Sequence, residues 1–138
     1  MKKMMKQLDI YVDWVPNNFS AAPVNEEIAC VATGHTLADV EKNIVDALKF
    51  HVEGLMEDGE SVPEDLKGEW TPVFHLSTRA LLKFSEKFIT RKALSIQTGI
   101  NEQQLSHYAN GQRKPRPAMQ RRIQDGIRAI AMQLSSVF

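Results

Sequence analysis

The sequence predicts an α+β unit, a small antiparallel sheet with one packed helix, followed by an all-α unit. Three observations carry that prediction. Leu8, Ile10, Val12 and Trp14 alternate with Asp9, Tyr11 and Asp13, the period of two expected of a half-buried strand. Leu37, Val40, Ile44, Leu48, His51 or Val52, and Leu55 recur at three- and four-residue spacing, which places them on one face of a helix. The third observation is charge. Seventeen basic and seventeen acidic residues cancel over the 138-residue chain. Residues 1–76, however, carry six Lys, no Arg and fourteen Asp plus Glu, a balance of −8, whereas residues 77–138 carry eleven Lys plus Arg and three acids, a balance of +8. Two modules with different partners, 1–76 and 77–138, follow from this divide.

Taken in order, the strand at Leu8–Val15 runs into Pro16-Asn17-Asn18, where proline presets φ and asparagine tolerates the left-handed region. Phe19–Ala22 reads as a return strand and Ile28–Thr33 as a third, with Gly34 breaking the pattern. Thr36, with Asp39 three residues on, opens the long helix as a variant of the capping box. Asp58-Gly59 ends that helix, Pro63 closes the loop, and Trp70–Leu76 reads as a last strand. The arrangement is one sheet with the helix on one face.

The composition, 43% hydrophobic and 25% charged, belongs to a globular rather than a disordered chain. Cys30 is the only cysteine, so neither an intramolecular disulfide nor a multi-cysteine zinc site can be built, and a reducing cytoplasm fits best. Met1-Lys2-Lys3-Met4-Met5-Lys6 is basic, but Gln7-Leu8-Asp9 stands where a signal peptide would begin its apolar run. No apolar stretch approaches bilayer length, so no membrane partner is expected.

Catalytic signals are sparse. Asp9 and Asp13 share one strand face, and Asp39, Glu41 and Asp46 follow on the helix; paired carboxylates of this kind can hold magnesium for phosphodiester hydrolysis. Carboxylates on solvated faces look the same in sequence. His35 sits at a turn, His51 lies on or beside the apolar helix face, and Cys30 between Ala29 and Val31 reads as a buried thiol. There is no glycine-rich phosphate loop, and the expectation is a protein without enzymatic activity, cofactor or metal.

The basic half is more informative. Ser77 and Thr78 can cap a helix through Phe84. Thr90 to Gly111 then has the form of a helix-turn-helix, with Gly99 where the turn needs positive φ and Asn101 placed to cap the second helix. Leu94, Ile100, Leu105 and Tyr108 are spaced to meet in one small core, and Ser95 is small where the helices approach. The exposed side of the second helix would carry Glu102, Gln103, Ser106 and His107, together with Gln104, as contacts to base edges in the major groove of a double-stranded DNA operator. Arg91, Lys92, Asn110, Gln112, Arg113, Lys114 and Arg116 are suited to phosphate contacts. Pro115 and Pro117 hold off the last helix, striped by Ile123, Ile127, Ile130 and Leu134 and followed by Val137 and Phe138. Ile127, Ile130, Leu134, Val137 and Phe138 are candidates for contact with a second copy, since two-fold dimers read palindromic operators.

The basic half resembles the Cro/repressor (Xre-type) helix-turn-helix family, residue by residue at Leu94, Gly99, Ile100, Leu105 and Asn110-Gly111. That resemblance implies phosphate contacts at Arg91 and Asn110 and base contacts at Glu102, Gln103, Ser106 and His107. Ser95 stands where the family has alanine, and Thr98 where it has an apolar residue.

The whole chain resembles the HicB-type antitoxins, in which a partial ribonuclease H-like domain precedes a DNA-binding module. The resemblance is carried by Tyr11-Val12-Asp13-Trp14, Phe19-Ser20, Ala32-Thr33-Gly34-His35-Thr36, Ala47-Leu48-Lys49-Phe50-His51 and Val62-Pro63; the turn Pro16-Asn17-Asn18 replaces a more glycine-rich one. It implies binding to a HicA-type messenger-RNA interferase, occlusion of that toxin's active site, repression of the shared operon, and a homodimer or higher homo-oligomer. An acidic module suits a basic RNA-binding toxin. Asp9, Asp13, Glu53 and Glu57 are the toxin-contact candidates by charge. Two alternatives stay open at this point: a regulator whose acidic domain senses a small ligand, and a metal-dependent nuclease using Asp9 and Asp13.

Overall fold

A computed structural model describes residues 5–138 of the chain. It is α+β and divides into two compact units, Met1–Ser77 and Thr78–Phe138. The first unit contains strands β1 (Lys6–Val15), β2 (Asn18–Pro23) and β3 (Ala32–Gly34), helix α1 (Leu37–Glu57), a 3-10 turn at Glu64–Leu66, and strand β4 (Trp70–Leu76). The strands form one sheet in the order β3-β2-β1-β4.

β1 and β2 make an antiparallel hairpin in which Val15 faces Asn18, so Pro16-Asn17 alone turns the chain. Asn17 takes φ +73°, a conformation asparagine enters more readily than most residues because its short side chain bonds locally. The register sets Val12 opposite Ala21 and Trp14 opposite Phe19, and the last two rings meet edge to face at 4.8 Å. Leu8, Ile10 and Val12 are buried and Asp9 and Tyr11 exposed, as the alternation predicts.

Thr36 caps α1 by accepting the Asp39 N–H through Oγ1 at 3.1 Å. Val40, Ile44 and Leu48 are fully buried and cover the inner face of the sheet. Gly34 lets β3 run close under the start of the helix. A Cβ there would lie 2.6 Å from the Val40 backbone nitrogen.

Two expectations are corrected. The sheet is mixed rather than antiparallel throughout, because β4 pairs with β1 in parallel, Ile10 beside Phe74. The cause is the crossover: α1 carries the chain back along the sheet, so β4 starts from the same end as β1. The third strand is also shorter than Ile28–Thr33, since only Ala32–Gly34 pairs with β2. Asn25 turns the chain by accepting the Glu27 N–H at 3.1 Å, and Ile28 plugs the core from a loop. A buried residue in a loop carries the same apolar signature as one in a strand.

The second unit is helical: α2 (Thr78–Ser85), α3 (Arg91–Thr98), α4 (Glu102–Ala109) and α5 (Pro117–Ser135). Its core gathers Leu82, Leu94, Ile100, Leu105, Tyr108 and Ile123, with Leu81, Ile89, Met119, Ile127 and Ile130 packed around them. Pro117 opens α5 in its first turn, where a missing N–H leaves no intrahelical bond unmade.

Candidate nucleic-acid interface

The site is built on α3, its turn and α4. Thr90 caps α3 by accepting the Ala93 N–H at 3.0 Å. The helix ends at Gly99, whose φ of +74° a Cβ would oppose and whose N–H still reaches the Ser95 carbonyl at 2.8 Å. Thr98 is buried but satisfied. Its Oγ1 donates to the Leu94 carbonyl at 2.7 Å and accepts the Ile100 N–H at 3.2 Å. Arg122 of α5 closes the turn from outside, its Nε donating to the Thr98 carbonyl at 2.7 Å. Asn101 then caps α4, accepting the Gln104 N–H at 2.7 Å.

Leu105 and Tyr108 turn inward, which fixes what α4 shows outward. Glu102, Gln103 and Ser106 are exposed and His107 is half-exposed, and helical spacing places these four on one side of α4. Gln104 is set apart from them. It is half-buried, and its Nε2 donates to the Tyr108 hydroxyl at 2.7 Å, along the flank of the helix. Glu102 lies in the first turn, where the helix dipole favours a negative charge.

The phosphate candidates occupy two places. Lys92 is exposed in the first turn of α3. Arg91 beside it acts as a brace: Nη1 donates to the Leu105 carbonyl at 3.2 Å, Nη2 lies 3.5 Å from Glu86 Oε2, and the side chain is only 25% exposed. Its guanidinium therefore ties the two helices together. The other place is the loop after α4. Asn110 accepts the Gln112 N–H at 3.1 Å, and the Arg113 N–H reaches the His107 carbonyl at 3.2 Å, so the loop is held to the end of α4. Pro115 is buried beneath it while Gln112, Arg113, Lys114 and Arg116 are exposed. Three cations are thus presented beside the outer face of α4.

Sequence reasoning missed three contributors. Arg122 shields the turn; Arg79 of α2 lies against Gly111, where a Cβ would come within 2.6 Å of its Nη1; and Gly126 of α5 lets that helix press on Thr98. None belongs to a local pattern, because each acts on a residue in another element.

The remaining candidates are scattered. Asp9 and Asp13 stand on the outer face of the sheet, whereas Glu53 and Glu57 are exposed on α1, which covers the inner face, so the four do not share a surface. Asp9 Oδ1 is 2.9 Å from His75 Nε2, and Asp13 Oδ1 accepts from the Ser77 hydroxyl at 2.6 Å and from the Trp14 N–H at 2.8 Å. Ser77 therefore serves Asp13 through its hydroxyl. Among the described residues, no group of three or more His, Cys, Asp and Glu side chains converges as metal ligands would. Burial pushes the Cys30 thiol above its ordinary value, which lowers its thiolate fraction at neutral pH. Among the dimer candidates, Ile127 and Ile130 pack partly on the core, whereas Leu134, Val137 and Phe138 are exposed, the last at 98%. No helix among the described residues is long and apolar enough to cross a membrane.

Comparison of the chain with models of known protein families, with curated proteins and with solved structures finds no match. The geometry of α3 and α4 therefore has to support a functional reading by itself.

Proposed function

We propose that the chain is the antitoxin of a toxin–antitoxin pair. In this reading the basic unit represses its own operon by binding a double-stranded operator as a homodimer or larger homo-oligomer. The acidic unit binds a small, basic HicA-type messenger-RNA interferase and covers its active site. The chain acts without catalysis of its own, in a reducing cytoplasm that suits one free cysteine. The observation that carries the DNA-binding half is the outer face of α4. Glu102, Gln103, Ser106 and His107 project from a helix whose other side is locked into a core, with Arg113, Lys114 and Arg116 beside it. Side chains of these types read base edges, and cations at the rim set register on the phosphates.

Two substitutions separate those roles. Gln103→Ala is expected to cost about 1–3 kcal/mol of operator binding and to relax specificity at one base pair. Arg113→Ala is expected to weaken binding to every sequence alike and to flatten the dependence of affinity on salt. Titration of operator and random duplexes at two salt concentrations checks both; equal loss of operator and random binding by Gln103→Ala would refute its base contact.

The antitoxin half is tested by co-expressing the chain with the reading frame beside its gene. A small basic protein that co-purifies, and that stops growth only when this chain is withheld, is the expected result. No partner and no toxicity would leave a DNA-binding regulator whose acidic unit answers to a small ligand.

A further inference from the structure

We infer that the outer face of α1 is the surface on which the acidic unit receives its basic protein partner, with Phe50 as the apolar anchor. The inference rests on the antitoxin reading and adds to it the surface by which the toxin is held. Phe50 sits near the middle of a 21-residue helix and is 77% exposed. The core does not need it: Val40, Ile44 and Leu48 already cover the sheet. Helical spacing aligns Asp46, Phe50, Glu53 and Glu57 in one stripe, all exposed. Lys42 pairs with Asp46 at 3.7 Å, while Glu53 and Glu57 enter no ion pair among the described residues. Beside the stripe lies a hollow of about 500 Å³ whose lining includes Val52, Leu66 and Trp70 together with Lys49, Glu53 and Glu69.

Charge selects the occupant. A unit of net charge −8 repels nucleic acid and anionic lipid, and it attracts a protein whose own ligand is RNA. A second copy docked two-fold on the same stripe would set carboxylate against carboxylate, which disfavours it. An exposed aromatic side chain flanked along its helix by Asp46 and Glu53 has the pattern of an interface anchor, and the adjoining hollow offers room for an apolar side chain from the partner. The sheet's outer face is less suited, because Asp9 and Asp13 already spend their carboxylates on His75 and Ser77.

The test uses the full chain and the small basic protein encoded beside it. Phe50→Ala is expected to weaken that complex at least tenfold, about what loss of an aromatic anchor brings. The double reversal Glu53→Lys and Glu57→Lys is expected to slow association about tenfold or more at low salt, with the difference closing as salt rises. Asp9→Asn should bind as the wild type does, and all three variants should keep the wild-type melting temperature by fluorescence of Trp14 and Trp70, which reports that the acidic unit is folded. If Phe50→Ala and the reversal bind normally while Asp9→Asn does not, the sheet face is the interface; this inference falls and the antitoxin reading stands. If Phe50→Ala instead dissolves self-association of the chain, the stripe joins copies and the inference is likewise overturned. A wild-type chain that binds nothing takes down the antitoxin reading and this surface together.

Discussion

Leu105→Ala is expected to destabilise the helical unit by about 2–5 kcal/mol, the range for truncating a fully buried leucine when the cavity only partly collapses. Leu105 is 0% exposed and points from α4 into the centre of the core formed with Leu82, Leu94, Ile100, Tyr108 and Ile123. Small units begin with little stability, and whole domains hold only about 5–15 kcal/mol, so the loss is a large share of the total. Operator binding is expected to go with it, because Leu105 fixes which side of α4 faces out. The chain offers a clean readout. Both tryptophans, Trp14 and Trp70, belong to the first unit. Tryptophan fluorescence should therefore melt at the wild-type temperature, while part of the helical ellipticity is lost at a lower one. A single, unshifted melt by both probes would contradict the packing assigned to α4.

The second large effect comes from Gly126. In an exposed helix interior, Gly→Ala raises stability by about 1 kcal/mol through backbone entropy. Gly126 is buried, however, and a Cβ there would fall 2.4 Å from Thr98 Cγ2. Thr98 has no room to yield, since its Oγ1 is bonded to both the Leu94 carbonyl and the Ile100 N–H. Overpacking costs about 1–3 kcal/mol and more where neighbours cannot shift, so the clash outweighs the propensity gain. Gly126→Ala is expected to lower stability by a net of up to about 2 kcal/mol, the difference between those two effects. It is also expected to weaken operator binding, because Thr98 leads directly into the Gly99 turn that aims α4. Thr98→Ser removes the obstructing methyl and keeps the hydroxyl. Combined with Gly126→Ala it should recover most of the loss, a coupling of about 0.5–3 kcal/mol in a double-mutant cycle. Strict additivity of the two changes would sink the close-approach explanation.

How much of this was legible depended on whether a signal was local. The alternation around Ile10 and Val12, the helical stripe through Val40, Ile44 and Leu48, and the Gly99–Asn101 turn each write their structure into a few neighbouring residues, and each is found where the pattern places it. The parallel return of β4 left no such mark, since Trp70–Leu76 reads alike in either direction and only the path of α1 decides between them. Ile28 misled for a related reason: burial in a loop and burial in a strand give one apolar residue the same appearance. At the site, the outward residues of α4 followed from knowing its inward ones, so Glu102, Gln103, Ser106 and His107 could be named together. Gln104 and Arg91 could not be resolved that way, because their roles depend on Tyr108, on the Leu105 carbonyl and on Glu86. Gly126 and Arg122 were invisible for the same cause, each acting on the α3 turn from a helix far along the chain.

The pairing of β1 with β4 also governs the order in which the molecule is made. Lys6 sits beside Trp70 and Val12 beside Leu76, so one side of β1 stays unpaired until nearly the whole first unit has left the ribosome. Loop closure over that length must precede any reward from the pairing, whereas the helices of the second unit, chiefly α3 with α5 and α2 with α4, meet across shorter stretches of chain. The first unit is therefore expected to refold more slowly than the second, with tryptophan fluorescence recovering after helical ellipticity in a stopped-flow experiment. During that interval β1 presents an open strand edge, the feature that invites intermolecular pairing in unfinished sheets. Each round of synthesis would have to contend with that delay before the first unit is complete.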